Sequence, residues 1–304
     1  MGIKFRLIVM NFLQYAIWGS WLISLGAYLG GGLDFTGLQI GSFFATMGVA
    51  SLFMPAVMGI IADRWIPAQK LLGICHLVSG GFLIAAASQT AYGPLYSCML
   101  LSVMFYMPTI ALSNSVAYNA LDLARLDTVK HFPPIRVWGT VGFIAAMWFV
   151  DLTHIGGVQI KLTEWQLYVS AVLSFLLAVY SFSLPGCPVD RTVKARSWVD
   201  TLGLRAFTLF KEKRMAIFFV FSMLLGAALQ ITNAFGDSYI QSFGSMPQYA
   251  DSAIVKHSVI LLSLSQMSET FCILLIPFFL RRFGIKKVML ISCLLYTSPS
   301  PRDS

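Results

Sequence analysis

The chain has 304 residues, of which 57% are hydrophobic and only 11% are charged, and its formal net charge is +8. A soluble protein of this length needs a polar surface that such a composition cannot supply, so a multi-spanning membrane protein is predicted. The apolar segments are long and continuous, which excludes a transmembrane β-barrel with alternating strands of about ten residues.

Apolar runs of helical length follow one another along the chain. They predict eight membrane-spanning helices and the start of a ninth near residue 286, at 7–29, 38–62, 70–90, 94–121, 134–152, 165–184, 214–241 and 255–280. Lys4 and Arg6 precede the first run without a small-residue cleavage site. This run is therefore expected to be a retained span and not a removed signal peptide.

One long polar segment divides the chain. We expect an N-terminal six-helix bundle over 1–185, a linker loop over 186–213, and a partial C-terminal bundle over 214–293 with spans seven, eight and the start of nine. The ninth run holds about a dozen apolar residues, too few to cross about 30 Å of hydrocarbon at about 1.5 Å per residue. The tail 294–304 resembles translated adapter or vector sequence, so we expect a truncated reading frame whose own activity is open.

The basic residues predict the orientation in the membrane. Loops on the N-terminal side hold 17 lysines and arginines, whereas the opposite loops hold only Lys161 and Lys256. Cytoplasmic loops are enriched in these residues, so the N-terminus and the linker loop are expected in the cytoplasm. The net charge is then a signal of topology, and no nucleic-acid partner is expected.

A carboxylate lies near the middle of the eighth predicted span. Glu269 stands within the run 255–280, where an ionisable group costs about 2.5–3.5 kcal/mol on insertion scales. Gln266 precedes it by three residues and shares its helix face. A charge at this depth usually handles an ion, a proton or a substrate, so the pair is a candidate site.

Two other spans carry polar side chains on one helix face. In the fifth span Arg136, Thr140 and Phe143 stand at i, i+4 and i+7, after two prolines expected in the first helical turn. In the seventh span Gln230 and Asn233 stand at i and i+3. Taken alone, Arg136 also fits a helix-end arginine that snorkels, and the two amides also fit hydrogen bonds between packed helices.

Two related segments close the second and eighth spans. The first, at 59–64, reads Gly-Ile-Ile-Ala-Asp-Arg, and the second, at 277–287, ends in Arg-Arg-Phe-Gly-Ile-Lys-Lys. Together they resemble the loop motif of the major facilitator superfamily, Gly-x-x-x-Asp-Arg-x-Gly-Arg-Lys. The first copy has Trp65-Ile66 where the second glycine would fall, and the second has Arg281 at the acidic position. The resemblance implies an all-α, polytopic fold of two six-helix halves, with Asp63 and Arg64 as candidate gating-loop residues.

Further segments resemble one family more closely, the bacterial nucleoside:proton symporters. They include Phe-Pro-Pro-Ile-Arg-Val-Trp-Gly-Thr at 132–140, Leu-Gln-Ile-Thr-Asn at 229–233 and Gln-Met-Ser-Glu at 266–269, and the resemblance covers residues 1 to about 293. It implies a substrate site between spans five, seven and eight, with spans five and eight facing one another. The implied site residues are Arg136, Thr140, Phe143, Gln230, Asn233, Gln266 and Glu269.

The chemistry of these side chains suits a nucleoside and a proton. Gln and Asn amides match the mixed donors and acceptors of a base edge, and Phe143 offers an apolar face. A lone Arg136 argues against nucleotides, which would favour several basic groups. Burial raises the pKa of a carboxyl and a nearby arginine lowers it. Glu269 beside Arg136 is therefore the candidate for proton coupling.

The remaining charged and metal-ligating residue types carry no site in the sequence. Asp34, Asp237 and Asp251 are expected to be solvated loop or helix-end residues near the outer face, and His76 a packed, hydrogen-bonded histidine. The five cysteines and four histidines are scattered, so no metal site, disulfide framework or cofactor is expected.

The leading hypothesis is uptake of nucleosides by an inner-membrane symporter in a lipid bilayer, with no obligate protein partner. A major facilitator transporter for another small polar metabolite, such as a sugar, is the alternative within that class. A membrane enzyme is disfavoured because no catalytic motif is present. A sensor that binds without transporting is the third class.

Overall fold

The computed structural model describes residues 2–188, 211–249 and 252–296. These residues are largely helical, and they include one short antiparallel hairpin. The chain divides into two compact units, Met1–Ser263 and Leu264–Ser304. The tail 297–304 and most of the predicted linker loop lie outside the described residues.

Nine α-helices lie within the first unit, counted over its described residues. They are α1 (Ile3–Gly19), α2 (Leu25–Ala27), α3 (Gly37–Arg64), α4 (Ala68–Ala87), α5 (Tyr92–Leu123), α6 (Thr128–Leu152), α7 (Trp165–Ser181), α8 (Lys213–Ser242) and α9 (Ala253–Lys256). Helix α10 (Ser258–Tyr296) begins here and continues into the second unit. A π-helix (Tyr28–Gly32), the strands β1 (His154–Ile155) and β2 (Val158–Gln159), and 3-10 helices at Ile160–Leu162 and Phe243–Ser245 complete the described structure.

Five helical segments of the described residues are long and apolar enough to cross a membrane: Gly37–Arg64, Ala68–Ala87, Tyr92–Leu123, Lys130–Leu152 and Lys213–Ser245. Helix α7 is apolar but shorter, at 17 residues. Many large apolar side chains on these helices are exposed, among them Leu52, Val179 and Met223. Their solvent is expected to be lipid, since a soluble protein rarely exposes so much apolar surface.

The first predicted span is not one continuous helix. Helix α1 ends at Gly19, residues 20–24 form turns, and α2 leads into the π-helix. Ser20 donates its hydroxyl to the Ala16 carbonyl at 2.8 Å, a contact that bends helices. Glycines at 30–32 further weaken an α-helix. Hydropathy predicted 7–29 as a single helix because it records apolarity and not backbone preference.

Helices α1 and α6 are in backbone contact through glycine. A Cβ added to Gly142 would lie 2.9 Å from the carbonyl carbon of Phe12, and one added to Gly19 would lie 2.8 Å from the Cα of Phe143. Such small residues let membrane helices approach closely. This contact fixes the position of the α6 face that carries Arg136, Thr140 and Phe143.

Gly142→Ala is expected to destabilise the chain, because the added methyl group must push α1 and α6 apart. Overpacking of this kind costs about 1–3 kcal/mol, so the apparent melting temperature in detergent should fall. Gly81→Ala on α4 is the matched control, since no atom lies within 4 Å of a Cβ at that position. Equal melting temperatures for the two variants would contradict the close contact.

The second unit contains the rest of α10. Its backbone leaves helical geometry at Gly284, where φ is 72° and ψ is 162°. Positive φ of this kind is readily adopted by glycine and costs other residues energy. The break lies between the predicted eighth span, 255–280, and the ninth, which was expected to begin near residue 286.

Candidate substrate site

Arg136 is held against α1 by an aromatic ring. Its guanidinium carbon lies 3.8 Å from the centroid of the Tyr15 ring, which is 7% exposed. Gly139 leaves room for this contact, because a Cβ there would lie 2.6 Å from the ring and 2.8 Å from a guanidinium nitrogen. A cation–π contact of this kind contributes about 0.5–2 kcal/mol. The guanidinium therefore has a fixed partner, which a freely snorkelling side chain lacks.

Arg136 also lies deeper in its helix than the sequence predicted. Helix α6 begins at Thr128 and not at 134, so Pro133 and Pro134 lie inside it and not in its first turn. Interior prolines remove backbone donors, and membrane helices tolerate them when neighbouring groups compensate. Thr140 is half-buried and Phe143 is buried on the same helix.

Three aromatic side chains, Trp18, Tyr106 and Phe143, form what we call the aromatic wall. The Trp18 and Phe143 ring centroids lie 6.5 Å apart with planes at 89°, and those of Trp18 and Tyr106 lie 6.0 Å apart at 56°. Edge-to-face and tilted pairs of this kind are favourable. The wall joins α1, α5 and α6, so the position of Phe143 depends on all three helices.

A buried polar network supports the aromatic wall from behind. Tyr106 donates its hydroxyl to the Gln14 carbonyl at 2.7 Å, and the Gln14 amide donates to the Thr109 hydroxyl at 2.7 Å. The Gln14 amide oxygen lies 2.8 Å from His76 Nε2. His76 is fully buried, so the prediction of a packed, hydrogen-bonded histidine is confirmed.

A cavity of about 540 Å³ lies between α3 and α8, and Trp18 is the member of the aromatic wall that lines it. That volume is within the range of small-molecule sites, about 300–1,000 Å³. A mostly apolar lining, as found here, is also typical of such sites. Its lining includes Trp18, Phe44, Met47, Ser51, Met107, Gln230, Ala234 and Phe235. Arg136, Thr140 and Asn233 are not among its lining residues; Phe143 reaches it only through its contact with Trp18.

Two donors at this cavity lack a hydrogen-bond partner among the described residues. They are the Trp18 indole nitrogen and the Gln230 amide nitrogen, both buried. A buried polar group without a partner costs about 1–3 kcal/mol, and each such group calls for an explanation. A bound molecule with acceptor atoms would supply the missing partners. Asn233, predicted beside Gln230, is half-buried on α8.

Gln266 lies in the second unit, on α10, where its carbonyl accepts a hydrogen bond from the Thr270 hydroxyl at 2.9 Å. The side chain of Glu269 lies outside the described residues. The pairing of Glu269 with Arg136 therefore stays a prediction. The gating role of Asp63 and Arg64 also stays a prediction: Asp63 is exposed and Arg64 is the last residue of α3.

The structure contradicts the expectation for Asp237. This carboxylate was predicted to be solvated, but it is fully buried. Gln241 donates to its Oδ2 at 2.9 Å, and the Ser258 hydroxyl donates to its Oδ1. A carboxylate tolerates burial when both oxygens accept hydrogen bonds. Asp34 is exposed as expected, and Asp251 lies outside the described residues.

A buried ion pair next to Asp237 was not predicted from the sequence. Lys161 Nζ lies 2.6 Å from Asp151 Oδ1, and neither side chain is more than 1% exposed. Asp151 Oδ2 lies 2.7 Å from His257 Nδ1. The available signal was a carboxylate at the very end of an apolar run and a lone lysine in a loop otherwise poor in charge. Nothing in the sequence indicates that Asp151 and Lys161 lie next to His257, which is far from both along the chain.

A bundle of membrane-spanning helices around a cavity of ligand size, with unpaired donors at its wall, defines a helical membrane transport protein. The chain belongs to the nucleoside H+ symporter family, whose model matches residues 1–298. The predicted family and fold class, all-α and polytopic of the major facilitator type, are confirmed, and a family of transporters is not one of enzymes. The division into a six-helix bundle and a partial bundle stays a prediction.

Two relatives of the chain in Escherichia coli K12 are named as permeases. The chain is 52% identical over 297 residues to the xanthosine permease of Escherichia coli K12, an alignment that covers 98% of this chain and 70% of the relative. It is 48% identical over 292 residues to the nucleoside permease NupG of the same strain, covering 96% of this chain and 69% of that one.

Two solved structures have the same fold. The crystal structure of the nucleoside transporter NupG aligns with a TM-score of 0.85 at 47% identity, covering 97% of this chain and 71% of that one. Its D323A mutant aligns with a TM-score of 0.89 at 47% identity, covering 96% and 72%. At this identity the likeness extends to the helices that carry the candidate site.

Proposed function

We propose that this chain takes up nucleosides together with protons across the bacterial cytoplasmic membrane, by alternating access of one site to the two sides. The observation that carries the proposal is the cavity at which Gln230 and Trp18 have unpaired donors, in a chain of the nucleoside H+ symporter family. The distribution of basic residues supports a cytoplasmic N-terminus.

The proposed substrate site combines a flat apolar surface with hydrogen-bonding groups. Trp18 of the aromatic wall offers a face against which a nucleobase in the cavity can pack, and the Gln230 amide can donate to acceptors on the base edge. Arg136, already oriented by Tyr15, is the proposed donor to ribose oxygens. The other proposed residues of the site are Thr140, Asn233, Gln266 and Glu269.

Proton coupling is assigned in this proposal to Glu269. A carboxyl within an apolar span is more easily protonated because burial disfavours its charge, whereas a nearby Arg136 favours the ionised form. A substrate that engages Arg136 would weaken the second effect. Substrate binding and protonation of Glu269 would then favour one another, as symport requires.

A transporter for sugars is the weaker reading. The family is that of nucleoside H+ symporters. A free sugar also has no flat base to pack against Trp18, Phe44 and Phe235, which line the mostly apolar cavity. Sugars and nucleosides both bear hydroxyls, so only the base distinguishes them at this site.

Gln230→Leu tests the site directly. We expect uridine affinity to fall about tenfold or more, because a lost hydrogen bond costs about 1.5 kcal/mol of binding free energy. The melting temperature without substrate should stay equal or rise. The reason is that a buried donor without a partner is removed. Isothermal titration and thermal unfolding of the detergent-solubilised chain measure the two effects, and titration of uridine in excess ribose or glucose is the specificity control. A large loss of stability with unchanged affinity would instead make Gln230 a helix-packing residue.

A further inference from the structure

Four ionisable residues form a cluster at the end of the first unit that carries the β1–β2 hairpin. We call it the hairpin-end cluster, and it consists of Asp151, Lys161, Asp237 and His257. Asp151, Lys161 and Asp237 are at most 1% exposed, and the His257 side chain is 36% exposed. The proposed function uses none of these residues.

The charges of the cluster balance only when it holds a proton. Lys161 supplies one positive charge, and Asp151 and Asp237 supply two negative charges, so the three buried residues sum to −1. A net charge in a buried site is strongly disfavoured. One bound proton makes the cluster neutral.

The hydrogen bonds point to His257 as the residue that takes this proton. Asp151 has one oxygen 2.6 Å from Lys161 Nζ and the other 2.7 Å from His257 Nδ1. Both oxygens of Asp237 accept hydrogen bonds, from Ser258 and Gln241. Asp237 thus accepts at both oxygens, and Asp151 lies against the Lys161 ammonium, and both are surroundings that favour an ionised carboxylate. His257 is also the one member that reaches the surface, and histidine is the side chain that ordinarily titrates between pH 5 and 8.

Three further charged residues lie on segments next to the cluster. Lys256, on α9, contributes its backbone carbonyl, which accepts from Lys161 Nζ at 2.9 Å, while its side chain is exposed. His154, on β1, is exposed and lies against the Leu152 carbonyl at 3.0 Å. Glu164, which precedes α7, lies close enough to Tyr28 to act on it electrostatically.

The cluster joins segments from before and after the predicted linker loop. Lys161 Nζ reaches the Ser258 hydroxyl at 3.3 Å, and Gln159 donates to the Asp151 carbonyl at 2.9 Å and the Lys256 carbonyl at 3.3 Å. Beside it, α2 touches α8, since a Cβ on Gly26 would lie 2.6 Å from the Ala234 carbonyl oxygen. Ala234 lines the cavity. The contact between α2 and α8 therefore lies on the side of the cavity that faces the hairpin-end cluster.

We propose that His257 is a proton-binding residue that keeps this end of the protein closed, so that a proton taken up from the outside seals the cavity from that side. When the proton leaves, the buried cluster carries a net negative charge and the contact between the two segments weakens. The inference rests on the proposed orientation and proton coupling, but it concerns a residue outside the proposed substrate site.

Thiol labelling measures closure without requiring transport. Ala234→Cys is introduced as a reporter into the full chain, with its native cysteines replaced by alanine, and labelled in right-side-out vesicles with a membrane-impermeant maleimide. Val158→Cys on the exposed hairpin serves as the control, and the ratio of the two rates removes the pH dependence of the reagent. One proton bound only by the closed form changes closure by up to about tenfold per pH unit.

The labelling ratio of the Ala234→Cys reporter is expected to rise about tenfold between external pH 6 and pH 8. His257→Gln, which can donate to Asp151 but cannot titrate, should give the high ratio at both pH values. Adding Asp237→Asn to that variant restores neutrality and should give the low ratio at both, which also shows that the protein is folded. A parent ratio independent of pH, an unchanged pH response in His257→Gln, or a double variant that stays open would each overturn the proposal. Loss of nucleoside uptake with these labelling results intact would count against the proposed function alone.

Discussion

Arg136→Ala is expected to abolish measurable nucleoside binding at micromolar substrate. The guanidinium is the one cation on the proposed site's α6 face, and its carbon lies 3.8 Å from the Tyr15 ring centroid. That contact holds it in place, so little conformational entropy is lost when substrate binds. Hydrogen bonds to a charged group contribute about 1.5–3 kcal/mol each, and two such bonds to ribose would change Kd by about 100-fold or more.

Conservative variants separate the chemistry of Arg136 from its place in the fold. Arg136→Lys keeps the charge but loses the planar fork and its donors, so we expect binding about tenfold weaker than in the parent. Tyr15→Phe keeps a ring beneath the guanidinium and should bind nearly as well as the parent. Titration of uridine into each purified variant checks the series. If Arg136→Ala binds uridine like the parent, Arg136 is a structural residue and the proposed site is misplaced.

Glu269→Gln is expected to uncouple transport from the proton. The glutamine keeps the size and hydrogen bonding of a protonated carboxyl, so binding and exchange of internal for external nucleoside should survive. Accumulation driven by a pH gradient should be lost, because the side chain can no longer release its proton. Vesicles preloaded with unlabelled uridine measure exchange, and empty vesicles under an imposed pH gradient measure accumulation.

A matched variant serves as the control for the test of Glu269. Glu269→Asp retains a titratable carboxyl one methylene shorter, so it should keep coupled uptake at a reduced rate. Undiminished accumulation by Glu269→Gln would remove Glu269 from proton coupling and leave it as a residue that binds the substrate. Loss of both exchange and accumulation in Glu269→Gln would also remove it, since binding itself would then depend on the carboxylate.

The membrane class and most of the spans were predictable from the sequence because burial in lipid leaves a strong local signal. A run of apolar residues is sufficient to identify α3, α4, α5 and α8. Helix α1 was predicted too long because its end depends on Ser20, on the glycines at 30–32 and on contact with α6. These are effects of backbone conformation and packing that hydropathy does not record.

The candidate site was only partly predictable. Helical spacing placed Arg136, Thr140 and Phe143 on one face, but it could not show that Tyr15 holds the arginine or that Trp18 contacts Phe143. The burial of Asp237 was misjudged because its position near a helix end resembled a solvated one. That burial arises from Ser258 and Gln241, together with the Lys161–Asp151 pair, which local sequence cannot bring together.

Accumulation of labelled uridine in proteoliposomes is the measurement that tests the central claim most directly. The purified chain is reconstituted, an inward proton gradient is imposed, and the internal uridine concentration is followed over time. Coupled uptake predicts accumulation above the external concentration, which collapses when a protonophore is added and is inhibited by inosine but not by glucose. Uridine that only equilibrates across the membrane, or that accumulates equally without a proton gradient, would contradict proton-coupled nucleoside transport.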